Sequence, residues 1–340
     1  MNAASAVMAK ARCLYGRHIT VEEYDTLASA RSVGEFAAIL KGLGRYKEAL
    51  SEVNPAEIHR GALENIISKE SFKTSVRLCA FAGAGEKMLR AFVLVKSEIE
   101  QILRLVTLLN SGSADEFIVD LPAFLIHHAS FDLLAFAHVR DFDSMLAVLS
   151  KTPYAKILEG FKPDMGRVAD FRGIEYSLLL YYYKNIFKTI DKMLDGMAKT
   201  EMTSLVRKEV DLLNFDSALR LKLYYGKSDA YIKSQMLPFY YRLKPSNIDP
   251  ILAADNAHEM MDMFYKLSHS GNNPYKFDAA VYDRRTYRRV LRSLRFTANS
   301  AVSTYVYIEL SKIEVKNLFS IIEGIRYGLS PDKIKEHIII

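Results

Sequence analysis

EVKNLFSIIEGIRYG, residues 314–328, reads as an amphipathic helix closed by a glycine, with apolar residues at helical spacing and Gly328 as the stop. Two variants precede it, EIEQILRLVTLLNSG at 98–112 and DLLNFDSALRLKLYYG at 211–226. Each opens on an acid and places an amide three residues later: Glu98 with Gln101, Asp211 with Asn214, Glu314 with Asn317. After each glycine comes an acidic helix start, in SADEFI, KSDAYI and SPDKIK. The copies stand 113 and 103 residues apart. Side chains three apart share a helix face, so each pair makes a polar spot beside an apolar stripe. A polar spot that recurs in every copy predicts a structural task, namely hydrogen bonds to the end of a neighbouring helix.

A shorter unit repeats in the same order. SVGEFAAILKGLGRY has Ser32 as its N-cap, Glu35 three residues on, Phe36, Ile39 and Leu40 on one face, and Tyr46 after the turn. DFDSMLAVLSKTPY, from Asp141, repeats this sense and reaches Tyr154; DNAHEMMDMFYKLSHSGNNPY, from Asp255, reaches Tyr275. Ser32, Ser144 and Asn256 are spaced by 112 residues at each step. Ahead of the first copy, AVMAKARCLYG predicts a helix broken at Gly16, and ITVEEYDTLASA a helix with a Thr20–Glu23 capping box. A period near 110 exceeds the roughly 20–50 residues of solenoid repeats and has the size of a small domain. The expected fold is all-α, built from three similar helical domains at 1–125, 126–240 and 241–340. The breaks fall at Pro122–Ser130 and at the proline-rich Pro238–Pro250. Strand signals are weak; AFVLV at 91–95 sits inside longer helical periodicity.

Composition narrows the function. Half of the 340 residues are hydrophobic and a quarter charged, the balance of a globular protein with a large core. The net charge of +6 and a pI near 9 permit an acidic partner without selecting one, since 46 bases are interleaved with 40 acids. Two cysteines, Cys13 and Cys79, suit a reducing compartment and are expected as buried small apolar groups. No apolar run approaches the roughly 18–20 residues that cross a bilayer; SLLLYYY at 177–183 is too short. Its tyrosines, Tyr181, Tyr182 and Tyr183, would surround a helix and mostly pack.

Catalytic and metal motifs are missing. AFAGAGEK at 80–87 lacks Walker spacing and a Ser or Thr after Lys87, and reads as a helix break or a close helix contact. His127 and His128 are adjacent and point about 100° apart on a helix, and His258–Glu259 has no second histidine at zinc-protease spacing. Nothing resembles a nucleophile elbow. The expectation is no catalytic residue, no metal and no cofactor. One charged feature stands out: DRRTYRRVLRSLRF, 283–296, in which Arg284, Arg288, Arg292 and Arg295 form a stripe while Tyr287, Val290 and Leu294 face elsewhere. Such a stripe is either a docking surface for carboxylates or phosphates or a solvated face paired with its own acids. Aromatic stacking platforms and nucleic-acid modules are not visible.

The chain resembles the C subunit of archaeal and bacterial V-type ATP synthases, which is similar to the d subunit of the eukaryotic vacuolar pumps. The resemblance spans essentially the whole length. It rests on YIELSKIEVKNLFSIIEGIRYGLSPDKIKEHI, on RKEVDLLNFDSALRLKLYYGKSDAYIKSQMLP, and on ARCLYGRHITVEEYDTLASARSVGEFAAIL and GIEYSLLLYYYKNIF. MLPFYYRLKP stands where the family has a glycine-containing turn. The resemblance implies three helical domains in a pseudo-threefold funnel or socket. It implies a non-catalytic rotor subunit, monomeric within its complex and peripheral on the cytoplasmic side of the membrane. Such a protein couples central-stalk subunits to the membrane rotor ring and transmits torque for proton or other ion transport, without cofactor or nucleic acid. The alternative from the residues alone is a helical scaffold or regulator that binds an acidic protein or nucleic acid through the arginine stripe.

Overall fold

A computed structural model describes residues 3–82, 85–119, 121–164, 167–268 and 279–340. Every regular element among them is helical, so the chain is all-α as its periodicity requires. The chain forms two compact units, Met1–Thr189 with Thr297–Ile338, and Ile190–Phe296 with Ile339–Ile340.

In the first unit the helix Ser300–Arg326 packs on Ala3–Tyr15 and Arg60–Phe81. Asn299 caps it by accepting from the Ala301 and Val302 amides. Its first two turns, Val302 to Ile308, are buried on all sides, which makes them an interior helix. From Leu310 onward burial becomes one-sided, through Glu314, Asn317, Leu318, Ile321 and Ile322. Each fully buried aliphatic side chain there contributes roughly 1.5–3 kcal/mol. AFVLV takes helical form, as a π turn at Arg90–Leu94 that feeds the α-helix Val95–Ser111. Lys312 donates to the Phe92 carbonyl at 3.3 Å. Tyr182 and Tyr183 are packed inside, with ring centroids 5.0 Å apart.

The acid-to-glycine stretches are the second halves of longer helices, and their glycines do the same work. Gly112, Gly226 and Gly328 adopt φ of 73°, 56° and 64°. The amide after each reaches back to a carbonyl of the last turn: Ser113 to Leu108 at 2.8 Å, Lys227 to Leu221 and Leu329 to Gly324 at 2.9 Å. This closes the helix in a left-handed turn that a Cβ disfavours. Gly328→Ala is therefore expected to lower stability by about 1 kcal/mol, read as a drop in the urea midpoint with unchanged helix content.

The capped short helices repeat too, with one correction. Ser32 accepts from the Glu35 amide, Asp141 from Ser144 and Asn256 from Glu259. Ser144 is thus the third helical residue and not the cap, so the caps are spaced by 109 and 115 residues rather than evenly by 112. Asp141 displaces Ser144 because a carboxylate meets the N3 amide at 2.7 Å while the Ser144 hydroxyl turns back toward the cap. In all three the residue before the cap donates to the N3 side chain: Arg31 to Glu35, Arg140 to Ser144, Asp255 to Glu259. The Thr20–Glu23 capping box forms as expected.

The second unit closes around Phe215 and Phe264, whose rings stack at 4.2 Å, with Leu243, Ile248, Ile251 and Leu252 sealed beside them. The proline-rich stretch there is non-helical until the short helix Asp249–Leu252. Of the cysteines only Cys79 is buried, and burial pushes its thiol up to about 12; Cys13 is exposed. Cys13 lies about 200° around its helix from Ala11, away from the buried Val7–Ala11 face.

Candidate functional site

The repeated acids lie on the inward faces of their helices, and each holds the short helical module that follows it in the repeat. Glu98 accepts from the Ser130 amide at 2.6 Å and the Tyr154 hydroxyl at 2.5 Å. Asp211 accepts from the amides of Tyr241, Arg242 and Leu243 at 2.9, 2.6 and 3.0 Å. Glu314 accepts from the Ile19 amide at 2.9 Å and the Tyr46 hydroxyl at 3.0 Å. The last acid therefore grips the first module, nearly 300 residues away in sequence. Ile19 and Ser130 sit just ahead of the helices Val21–Ala28 and Leu133–Ala137, so two of the three acids bond the approach to a helix, as their recurrence suggested, while Asp211 holds the non-helical stretch 241–243. Tyr275, the counterpart of Tyr46 and Tyr154, lies outside the described residues.

The amides are less uniform. Asn214 bonds both the amide and the carbonyl of Leu237, at 2.8 and 3.0 Å. Asn317 is buried, whereas the Oε1 of Gln101 is buried without a hydrogen bond among the described residues.

Around Glu314 the sequence supplies more than its pattern revealed. The Arg45 guanidinium meets Oε1 at 2.7 Å and the His18 Nδ1 meets Oε2 at 3.0 Å, so the carboxylate has four donors. Arg45 also donates to Ser311 at 3.0 Å and Tyr307 at 3.3 Å. Burial opposes the Arg45 charge, but Tyr46, Glu314 and Tyr307 outweigh it. Burial lowers the His18 pKa to about 4, reinforced by Arg45 and resisted by Glu314. The imidazole is neutral at pH 7, with its proton on Nδ1 and its ring between Tyr15 and Tyr307.

A pH dependence follows. Above pH 6.5 both folded and unfolded states keep His18 neutral. Below it the unfolded chain takes a proton that the folded chain refuses until about pH 4, so stability falls across that window. At pH 5 the loss attributable to His18 is about 2 kcal/mol. It is measured as the difference in urea stability between pH 7.5 and 5 for wild type minus that for His18→Gln. Equal slopes for the two proteins would remove His18 from the account.

The arginine stripe lies on the helix Ala279–Phe296 of the second unit. Arg288, Arg292 and Arg295 are exposed, and Arg284 is half-buried with its Nε enclosed. Leu294 is buried, and Tyr287 and Val290 are half-buried, so the apolar face points inward as expected. The Arg292 guanidinium lies 6.0 Å from the ring centroid of Phe296, which is 76% exposed. Burial lowers the pKa of Lys208, reinforced by Arg289 and Arg242 and opposed by Tyr241. No carboxylate pairs with Arg288, Arg292 or Arg295 among the described residues. Phe296 was not singled out by the sequence; only its place at the end of the stripe hinted at it.

Elsewhere the geometry offers little chemistry. Among the described residues no three His, Cys, Asp or Glu side chains converge as metal ligands, and Gly83 of the AFAGAGEK stretch lies outside them. A cleft of about 440 Å³ in the first unit is lined by Arg60, Glu64, Asn65, Ser68, Arg104 and Phe319. Within it Arg60 pairs with Glu64 and with Glu323.

The family described as "ATP synthase (C/AC39) subunit" matches residues 7–337. The chain is similar to the C subunit of the A-type ATP synthase of Thermococcus kodakarensis, 23% identical over 337 residues, covering 97% of this chain and 88% of the relative. It is similar to the C subunit of the A-type ATP synthase of Desulfurococcus, 20% identical over 338 residues, covering 96% and 88%. That of Methanosphaera stadtmanae matches over 214 residues at 23% identity, covering 57% and 53%.

Proposed function

Because the chain belongs to the ATP synthase (C/AC39) subunit family, we propose that it is a rotor subunit that couples the central stalk to the membrane rotor ring of an A/V-type ATPase. The observation that carries this is the family match across almost the whole chain. Its work is mechanical: it passes torque between two partners and performs no catalysis. It sits peripherally on the cytoplasmic face of the membrane, as a monomer within the complex. No helix among the described residues is long and apolar enough to cross a membrane, so on this reading attachment to the ring runs through protein contacts.

The physics suits the role. A torque-bearing piece must resist shear, which packed helices do better than loops. Buried acids that bond amides of a distant segment pin modules at fixed register, and Glu314 pins the start of the chain to its end. The reading retains three repeated lobes, 1–125, 126–240 and 241–340, set around an axis. Two simultaneous partners require broad surfaces, each of about 1,200–2,000 Å² buried in total if the contact is stable. The test is co-purification of the full chain with stalk and ring subunits, each supplied separately. A folded chain that retains neither would sink the proposal.

A further inference from the structure

We infer that the exposed row Arg288, Arg292 and Arg295, with Phe296 at its end, docks an acidic α-helix of a protein partner. It rests on the coupling role only in taking the partner to be a protein, and deepens that role by naming the chemistry of one contact.

Charge comes first. Residues 190–296 hold 18 Lys and Arg against 13 Asp and Glu, so this segment carries nearly all of the net charge of +6. Elsewhere on the same unit several bases meet a nearby carboxylate: Arg220 meets Asp216 at 2.8 Å, Lys199 meets Asp191 at 3.0 Å and Lys233 meets Asp249 at 2.5 Å. Arg288, Arg292 and Arg295 have no such carboxylate among the described residues. The lowered proton affinity of Lys208, to which Arg289 and Arg242 contribute after burial, is consistent with surplus positive charge on this side of the same unit.

Shape then selects the partner. The three residues occupy one face at intervals of four and three, spanning about 10 Å of helix. Beside the row lie Leu291, half-buried and uncharged, and Arg289, half-buried, so among the described side chains of this helix the exposed cations form a single row. A fluid sheet of phosphates would reward a broad basic patch. A strip with helical spacing matches carboxylates at the same spacing on another helix, where each guanidinium can take a carboxylate bidentately. Phe296 adds an exposed aromatic at one end, the kind of group that anchors protein interfaces, and the Arg292 guanidinium already lies near its ring.

The experiment uses the full chain and two synthetic alanine–glutamine helices of equal charge. One carries glutamates at i, i+3, i+4 and i+7; the other distributes four glutamates around the helix. At low salt the first is expected to bind at least fivefold more tightly, with affinity falling as salt rises. Arg288→Glu, Arg292→Glu and Arg295→Glu together are expected to lower its affinity at least tenfold without changing the circular dichroism. A version of the first peptide with lysines for glutamates is expected to prefer the reversed protein. Equal binding of both peptides, or no binding, overturns the inference. So does binding to phosphatidylglycerol vesicles in place of the peptide, which would assign the row to a lipid surface. Peptide binding that fails while stalk and ring co-purify removes this inference alone. Peptide binding that survives while co-purification fails removes the coupling role and leaves the row's chemistry standing.

Discussion

Glu314→Ala is expected to destabilise the chain by about 3–5 kcal/mol, the usual cost of removing one partner from a buried ion pair. Against a total folding stability of roughly 5–15 kcal/mol this is a large fraction. The loss has two sources. Arg45 remains buried with its cation unopposed, and the Ile19 amide, the Tyr46 hydroxyl and the His18 imidazole each lose an acceptor. Glu314→Gln preserves volume but presents an amide N–H₂ to groups that all donate, so it recovers little. Arg45→Met introduced together with Glu314→Ala is expected to cost less than the two single variants summed, because the stranded charge is gone. Urea titration supplies all four values. A loss below about 1 kcal/mol for Glu314→Ala would mean that this carboxylate does not hold the first module.

Asp211→Ala is the corresponding experiment in the second unit, with an expected cost of roughly 3 kcal/mol. Three backbone amides converge on this carboxylate, and stranding a buried donor costs about 1–3 kcal/mol each, less where water can reach it. Leu243 is fully buried, whereas Tyr241 and Arg242 are open enough for water to replace part of what they lose. Asp211→Asn separates charge from acceptor geometry. Its carbonyl can accept from the Arg242 and Leu243 amides while its N–H₂ faces the more open Tyr241 amide, donor against donor, so it is expected to lose less than alanine. Hydrogen exchange at residues 241–243 reads the effect locally, with protection lost at all three amides in the alanine variant and at Tyr241 in the asparagine variant. Retained protection in the alanine variant would show that the loop is held by its apolar contacts to Ile248 and Leu252 and not by the acid.

The pair at 314 and 317 illustrates how far sequence spacing reaches. That Glu314 and Asn317 share a face, beside an apolar stripe, follows from helical geometry, and so does a structural task for both. Which donors Glu314 meets does not follow. Ile19, His18 and Arg45 are remote in sequence and mark themselves by no shared period. Tyr46 alone was foreshadowed, since Tyr154 repeats it and each tyrosine hydroxyl reaches a buried acid. The caps show the opposite limit. Even spacing favoured Ser144, but hydrogen-bond geometry favoured Asp141, three residues earlier, because a cap is chosen by which oxygen reaches the N3 amide.

The arginine stripe divides in the same way. Periodicity placed Arg284, Arg288, Arg292 and Arg295 on one face. Only packing distinguishes the half-buried Arg284 from its three exposed companions and leaves Phe296 open beside them.

What EVKNLFSIIEGIRYG determined by itself was therefore local and repetitive: a one-sided helix, an inward acid, a glycine that closes the last turn, and two further copies that make the fold all-α. These depend on dihedral preference and on a period of 3.6, which any window of the chain exposes. The tertiary structure decided what the stretch leaves open. It extended the helix back through SAVSTYVYI, β-branched and aromatic residues that suit a strand until they are enclosed on every side. It also joined the last acid to the first module. Burial and long-range pairing are properties of the assembled core, where an unpaired charge or amide is too costly to leave, and no local pattern can encode which distant group will satisfy it.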